Sequence, residues 1–405
     1  MRIVGEYEVD WLQQLVIGIF RLVINPFLYV WVLAAVGLGY FRVKRERRQF
    51  GVRVQYGLTE LRYFLSTSVF MGLAVSLVAL AVGIVVTPSL IILILTMMLI
   101  FFAPLKMRWA SPAFTLGVAI LVAVVWAYGP FEDLPISDWF AKVEVVNMTG
   151  VAILLAILVL AEGVLLFKSK QEPTSPFLFP GKRGLVIGSQ LFNRLWLVPV
   201  FLLIPGEGLA SFPSWWPIFA VADTGYSIIC VPFAIGFYQK IVGQLSGTLI
   251  KQASYKVMIF GVALVGLAIS GLVWPSMVIV TAVVAVLGRE AIFLYDKLTD
   301  EAKPAFFTRK NNGVVILSVL PHSPADKMAL QIGEVITRVN GEEVGNEQQF
   351  YEALQINRAY CKIEVLNKEG ELRYVQRALY EGQHHELGLL FVPDSKRPQK
   401  TAIAK

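Results

Sequence analysis

The sequence predicts a polytopic all-α membrane bundle of eight or nine transmembrane helices, followed by a small α+β domain. Three observations carry that prediction. Of the 405 residues 56% are hydrophobic and only 16% charged, and mean hydropathy is +0.64, well away from the averages of a soluble globular chain. Up to about residue 290, apolar runs recur near the length of roughly 20 residues that a helix needs to cross a hydrocarbon core of about 30 Å. Beyond residue 300 the pattern changes to short alternating stretches punctuated by turn residues. The expected division is a membrane region over 1–300, a small domain over 301–394 and a basic flexible tail over 395–405.

Composition also closes off several function classes. The two cysteines, Cys230 in an apolar run and Cys361 in a strand-like segment, cannot assemble a disulfide framework or a thiolate metal site. A formal charge of +7 raises nucleic acid as a partner, but the basic residues lie in loops between apolar runs, where they set topology instead. No nucleic-acid partner is expected. Nor is a cleavable signal, because the opening MRIVGEYEVDW is acidic and no small-residue cleavage site follows the first apolar run.

The clearer crossings are expected at residues 63–86, 89–105, 111–128, 148–167, 185–205 and 217–238. The run over 11–41 is broken by Arg21 and by Asn25-Pro26, so it reads as an interfacial helix followed by a span. The run over 257–287 is broken at Trp274-Pro275 and reads as a hairpin of two short spans. Lysine and arginine resist translocation, and they concentrate in RVKRERRQFGVR (42–53), in 106–108, in 168–184 and at Lys240, Lys251 and Lys256. The opposite loops, 129–147 and 206–216, hold Glu132, Asp133, Asp138, Glu144 and Glu207 against Lys142. The basic set therefore belongs in the cytoplasm, and the C-terminal domain with it. The run from Arg42 to Arg53 also suits anionic headgroups or an acidic partner surface, at about 1 kcal/mol per basic residue near a charged leaflet. Its plainer role is to fix topology.

Ionisable residues inside apolar runs are costly and mark candidate sites. Glu162, Arg194 and Asp223 stand out. An internal pair between Arg194 and Asp223, with Glu162 snorkelling to the inner surface, is the expected arrangement. A transport site is the sharper alternative, but no second acidic relay and no matching broken helices accompany these residues.

In the small domain, GVVILSVLP (313–321) reads as a strand and SPADKMAL (323–330) as a short helix with Ser at its N-cap and Pro next. GEVITRVNGEEV (333–344) is a strand with an Asn340-Gly341 turn, NEQQFYEALQ (346–355) a helix, CKIEVLNKEGELRYVQRAL (361–379) a hairpin and ELGLLFV (386–392) a closing strand. The stretch VLPHSPADKMALQIGEVITRVNGEEV resembles the bacterial PDZ family in its SPA-type helix, its G-[DE]-x-I step and its V-N-G turn. That resemblance implies a domain that adds an extended peptide as a strand beside a helix, with backbone amides of a Gly-Leu-Gly-Phe-like loop receiving a carboxylate. Leu387-Gly388-Leu389-Leu390 is then the candidate loop, and Glu347, Tyr351 and Leu354 the candidate groove positions on the helix. Leu390 stands where the motif has Gly, so internal or folded ligands are admitted beside free C-termini. The alternative is that 387–392 is a plain edge strand.

PDZ domains often accompany membrane proteases, which makes a protease the enzyme alternative to test against the residues. An H-E-x-x-H helix needs two histidines one turn apart, and the three histidines, His322, His384 and His385, all fall in the small domain without that spacing. No room is left for a serine-protease domain, and no G-x-x-x-x-G-K-[ST] loop occurs. No enzyme, cofactor or metal is expected.

The order of spans first and a lone PDZ last, with FRVKRERRQF after the first span, LFPGKRG, and NRLWL beyond it, resembles the MinJ family of Firmicute cell-division topology proteins. The resemblance implies a membrane adaptor, enriched at septum and poles, that bridges a DivIVA-like scaffold to MinD, meets other components of the division machinery and so restricts FtsZ ring assembly. A transporter with a regulatory PDZ module and a non-catalytic protease component are the alternatives. Whether the spans dimerise into a homo-oligomer stays open.

Overall fold

A computed structural model describes residues 4–103, 107–129, 148–181, 186–209, 216–219, 225–308, 313–357, 360–378 and 387–393. The first apolar stretch is two helices, α1 (Val4–Ile24) and α2 (Pro26–Phe50). Arg21 does not interrupt α1; the break comes at Asn25, whose side chain accepts a hydrogen bond from the Phe27 amide while Pro26 opens the next helix. Then follow α3 (Thr59–Val82), α4 (Pro88–Phe102), α5 (Pro112–Tyr128) and α6 (Met148–Lys168). Two further helices, α7 (Ser246–Ser270) and α8 (Met277–Glu301), form the expected hairpin about Trp274-Pro275, although at 25 residues each they are not short.

Among the described residues, α2, α3, α6 with its extension to Gln171, α7 and α8 are long and apolar enough to cross a membrane. Their outer faces fit that solvent. Phe70, Leu77 and Ile259 are each at least 70% exposed, an apolar surface too extensive for water. The interior is built on α6, which is buried around nearly its whole circumference. Gly163 of α6 and Gly261 of α7 allow the two backbones to meet, because a Cβ on either would collide with Met258 or Leu160.

The all-α bundle is corrected at two of the clearer crossings. Residues expected as helices over 185–205 and 217–238 lie, from Val186 and from Tyr226 onward, in a long antiparallel hairpin of β2 (Val186–Leu209) and β3 (Tyr226–Ile241). A short strand, β1 (Ser175–Pro180), completes a sheet of order β1-β2-β3. The cause is proline. Pro199 and Pro232 sit in the middle of the two runs, where each costs a helix about 3 kcal/mol. In the hairpin they face one another. Neither can donate, so both ring nitrogens point to the outer edges of the ribbon, where no ladder bond is lost.

Away from water every outward amide of such a ribbon needs an acceptor. Along β2, Pro199 needs none and lies against Gly72 of α3, where any side chain would strike its carbonyl. The Phe201 amide donates to Ser76 Oγ of α3 at 2.8 Å, and the Leu203 amide donates to the Ile84 carbonyl at 3.3 Å. Along β3, the Ile228 carbonyl accepts from Arg21 of α1 at 3.0 Å. These bonds tie the edges of the sheet to α1, to α3 and to the segment that follows α3.

The small domain contains β4 (Val314–Val315), β5 (Ser318–Val319), α9 (Pro324–Lys327), β6 (Val335–Val339), β7 (Glu342–Glu343), α10 (Glu347–Ile356), β8 (Tyr360–Leu366), β9 (Leu372–Ala378) and β10 (Leu389–Leu390). It is mounted on the inner sheet. The Gly188 amide donates to the Phe307 carbonyl at 3.0 Å, and Gln190 Nε2 donates to the Leu317 carbonyl at 2.6 Å. Around these bonds Phe307, Val315, Leu317 and Val335 pack against Phe50, Leu178 and Leu245.

Candidate peptide groove and buried charge clusters

Local signals place each part of the small domain. Ser323 caps α9 by accepting from the Asp326 amide, and Asn346 caps α10 by accepting from the Gln349 amide. Asn340 and Gly341 both have positive φ, 51° and 94°, the geometry of a type I′ turn. Asn340 also ties the turn to its surroundings, donating to the Ala353 carbonyl and accepting from the Lys362 amide.

Leu389 and Leu390 pair with Val319 and Ser318, while the Gly388 and Leu387 carbonyls accept from the Leu320 and Ala325 amides. Among the described residues β10 pairs with β5 alone, so its other edge carries no strand. Phe391, just past β10, stacks edge-on against Phe350 of α10 with centroids 5.0 Å apart, which sets that helix beside the strand. An edge beside a helix is what strand addition requires.

The residues expected to form the groove divide by role. Leu387, Leu389 and Leu354 point into the core of the domain with Phe350 and Ile363. Tyr351 and Leu390 are half-buried, and Glu347 is exposed on the first turn of α10. Gly388 has φ +83°, and a Cβ there would lie 2.2 Å from that of Ser323. Only glycine holds this bend. Cys361 is buried in β8, and burial pushes its thiol up to about 12, which leaves it unreactive at neutral pH.

The intramembrane charges are paired differently from expectation. Glu162 does not snorkel. It is completely buried on α6 and accepts from Arg289 of α8 through Nε at 3.0 Å and Nη2 at 2.7 Å, and from the Ser111 hydroxyl. Arg194 bonds Glu60 of α3 at 2.9 Å and the Pro173 carbonyl at 2.7 Å, and approaches Glu172 at 3.4 Å. Arg42 reaches the same Glu60 carboxylate at 3.0 Å. Asp223 lies outside the described residues. Glu172, just past α6, is pushed up from the usual carboxylate range by burial, an effect Arg194 opposes.

Sequence reasoning missed Glu60, which sits ahead of the apolar run of α3 and so did not register as an intramembrane charge. Arg289 follows the apolar run that ends at residue 287, and so it did not register as an intramembrane charge either. Ser76 and Gln190 carried no signal at all, because a single polar residue in an apolar run does not reveal the strand edge it serves.

A family model described as a PDZ domain matches residues 315–365, from β4 through most of β8. Over 385 residues the chain is 36% identical to the cell division topological determinant MinJ of Bacillus subtilis (strain 168), covering 95% of this chain and 96% of that protein. This chain belongs to the MinJ family. It is also 26% identical over 389 residues to a probable cell division topological determinant MinJ of Lacticaseibacillus paracasei, covering 92% of this chain and 98% of the relative. No solved structure matches the chain. The PDZ match ends before β10, which lies beyond the matched residues.

Proposed function

We propose that this chain is a membrane-anchored adaptor in division-site selection, acting by binding and not by catalysis. The observation that carries this reading is the end-to-end likeness to a cell division topological determinant. In this reading the basic loops face the cytoplasm, the PDZ domain with them, and the helices hold it at the membrane surface. A partner segment adds to the open edge of β10 beside α10, bordered by Leu390, Tyr351 and Glu347. Leu387 and Leu354 shape the groove from the core side, and Gly388 sets the bend at which a carboxylate would be received. The partners are a DivIVA-like scaffold on one side and MinD on the other, so that FtsZ assembly is restricted at poles and finished septa. Glu162 and Arg194 hold the bundle together by internal pairing, which accounts for their cost without a transported solute.

The test is localisation and capture with the full chain. A fluorescent fusion gathers at septa and poles in a manner that depends on the scaffold, and a Tyr351→Glu variant that is still inserted in the membrane loses capture of its partner. Uniform membrane signal, or undiminished capture by the variant, overturns the reading.

A further inference from the structure

A cavity of about 230 Å³ opens between the C-terminal end of α2 and the sheet of β1, β2 and β3, lined among others by Leu38, Phe41, Arg42, Arg45, Arg194 and Lys240. Its cations are unequally engaged. Arg42 and Arg194 share the Glu60 carboxylate and are backed by Glu46 and Glu172 respectively. Arg45 and Lys240 have no carboxylate within 4 Å among the described residues. Arg45 donates to the Ser175 hydroxyl and lies over Phe177, and the Lys240 ammonium sits 3.2 Å from the centre of the Phe179 ring. Arg45 Nε and Asn193 Oδ1 are both buried without a hydrogen-bond partner. Four cations against three carboxylates leave the cavity positive, and the unmatched charge is on the two residues free to meet a ligand.

The walls select the kind of anion. Leu38 and Phe41 end the apolar part of α2, and Arg42 and Arg45 follow within about one turn. From the cavity mouth the lipid-facing side of α2 continues through Phe41, Tyr40 and Leu33, all exposed. An apolar track that leads into a cationic pocket at the end of a span is matched by an amphiphile, with phosphate inside and acyl chain along the helix. We infer that this cavity is a binding site for the phosphate-bearing headgroup of an anionic phospholipid, clamped by Arg45 and Lys240. The inference rests on α2 crossing the membrane.

The experiment uses the full-length chain, extracted from vesicles of equimolar phosphatidylglycerol and phosphatidylcholine, with retained lipid identified by native mass spectrometry. The wild type keeps phosphatidylglycerol in preference. The Arg45→Gln/Lys240→Gln variant loses that preference by about twenty-five-fold, from two headgroup contacts of roughly fivefold each. A Lys168→Gln/Lys251→Gln variant, altered at exposed positions on α6 and α7 that do not line the cavity, keeps it. Retention unchanged in the first variant, or lost equally in the second, overturns the site. Displacement of the lipid by millimolar inorganic phosphate overturns its assignment to a lipid, and indifference to phosphate supports it. If the PDZ domain proves to face outward while the preference persists, the orientation fails and the pocket stands.

Discussion

Replacing Glu162 by Gln keeps the side chain's volume and an acceptor for the Ser111 hydroxyl, but it removes the charge that faces Arg289. That guanidinium is 2% exposed, makes two hydrogen bonds to Glu162 and lies 5.4 Å from the centre of the Phe237 ring, so no water can take over. Removing one member of a buried pair costs about 3–5 kcal/mol, against total stabilities of roughly 5–15 kcal/mol. The unfolding equilibrium therefore shifts by a factor of at least about 100. Thermal unfolding in detergent, followed by tryptophan fluorescence, reads the change. Because a buried pair exchanged whole for apolar residues is often neutral, the Glu162→Leu/Arg289→Leu double variant recovers most of the loss. If Glu162→Gln unfolds with the wild type, or if the double variant is less stable than either single one, the pairing described between α6 and α8 is wrong.

Three other outcomes follow from the same accounting. Ser76→Ala leaves the Phe201 amide without its acceptor and lowers stability by about 1–3 kcal/mol, measurable in the same assay, whereas Thr96→Ala on the exposed side of α4 changes it little. Gly388→Ala strains a left-handed bend against Ser323 and lowers the unfolding temperature of the PDZ domain, while Leu390→Ala affects it less. Cys361, with its thiol pushed up to about 12 by burial, stays unalkylated near neutral pH until the domain unfolds, so its labelling rate reports domain opening.

The helical spans at 63–86 and 148–167 were legible because length and continuous apolarity suffice where no other element competes. The Asn25-Pro26 break and the Trp274-Pro275 turn were legible for their local chemistry. Helices α7 and α8 were read too short since Lys256, Arg289 and Asp296 depress hydropathy, although Lys256 pairs with Asp296 and Arg289 with Glu162. The hairpin of β2 and β3 was not legible from apolarity alone, since a continuous apolar run has neither period. Pro199 and Pro232 were the signal available, and their meaning depended on a pairing that a linear pattern does not show. In the PDZ domain turns and caps carried clear residue signatures, so the order of elements was readable. Which groove residues face inward was not, because Leu354 and Tyr351 differ by less than one helical turn.

Cys230 and Cys361 are both buried, so one cysteine introduced at an exposed site reports by itself which side of the membrane the PDZ domain occupies. Glu369 lies exposed in the turn between β8 and β9. In intact cells, Glu369→Cys in the full chain is labelled by a membrane-permeant maleimide and is spared by an impermeant one. Labelling by the impermeant reagent from outside would place the domain away from every cytoplasmic partner and contradict the account of a tethered interior adaptor.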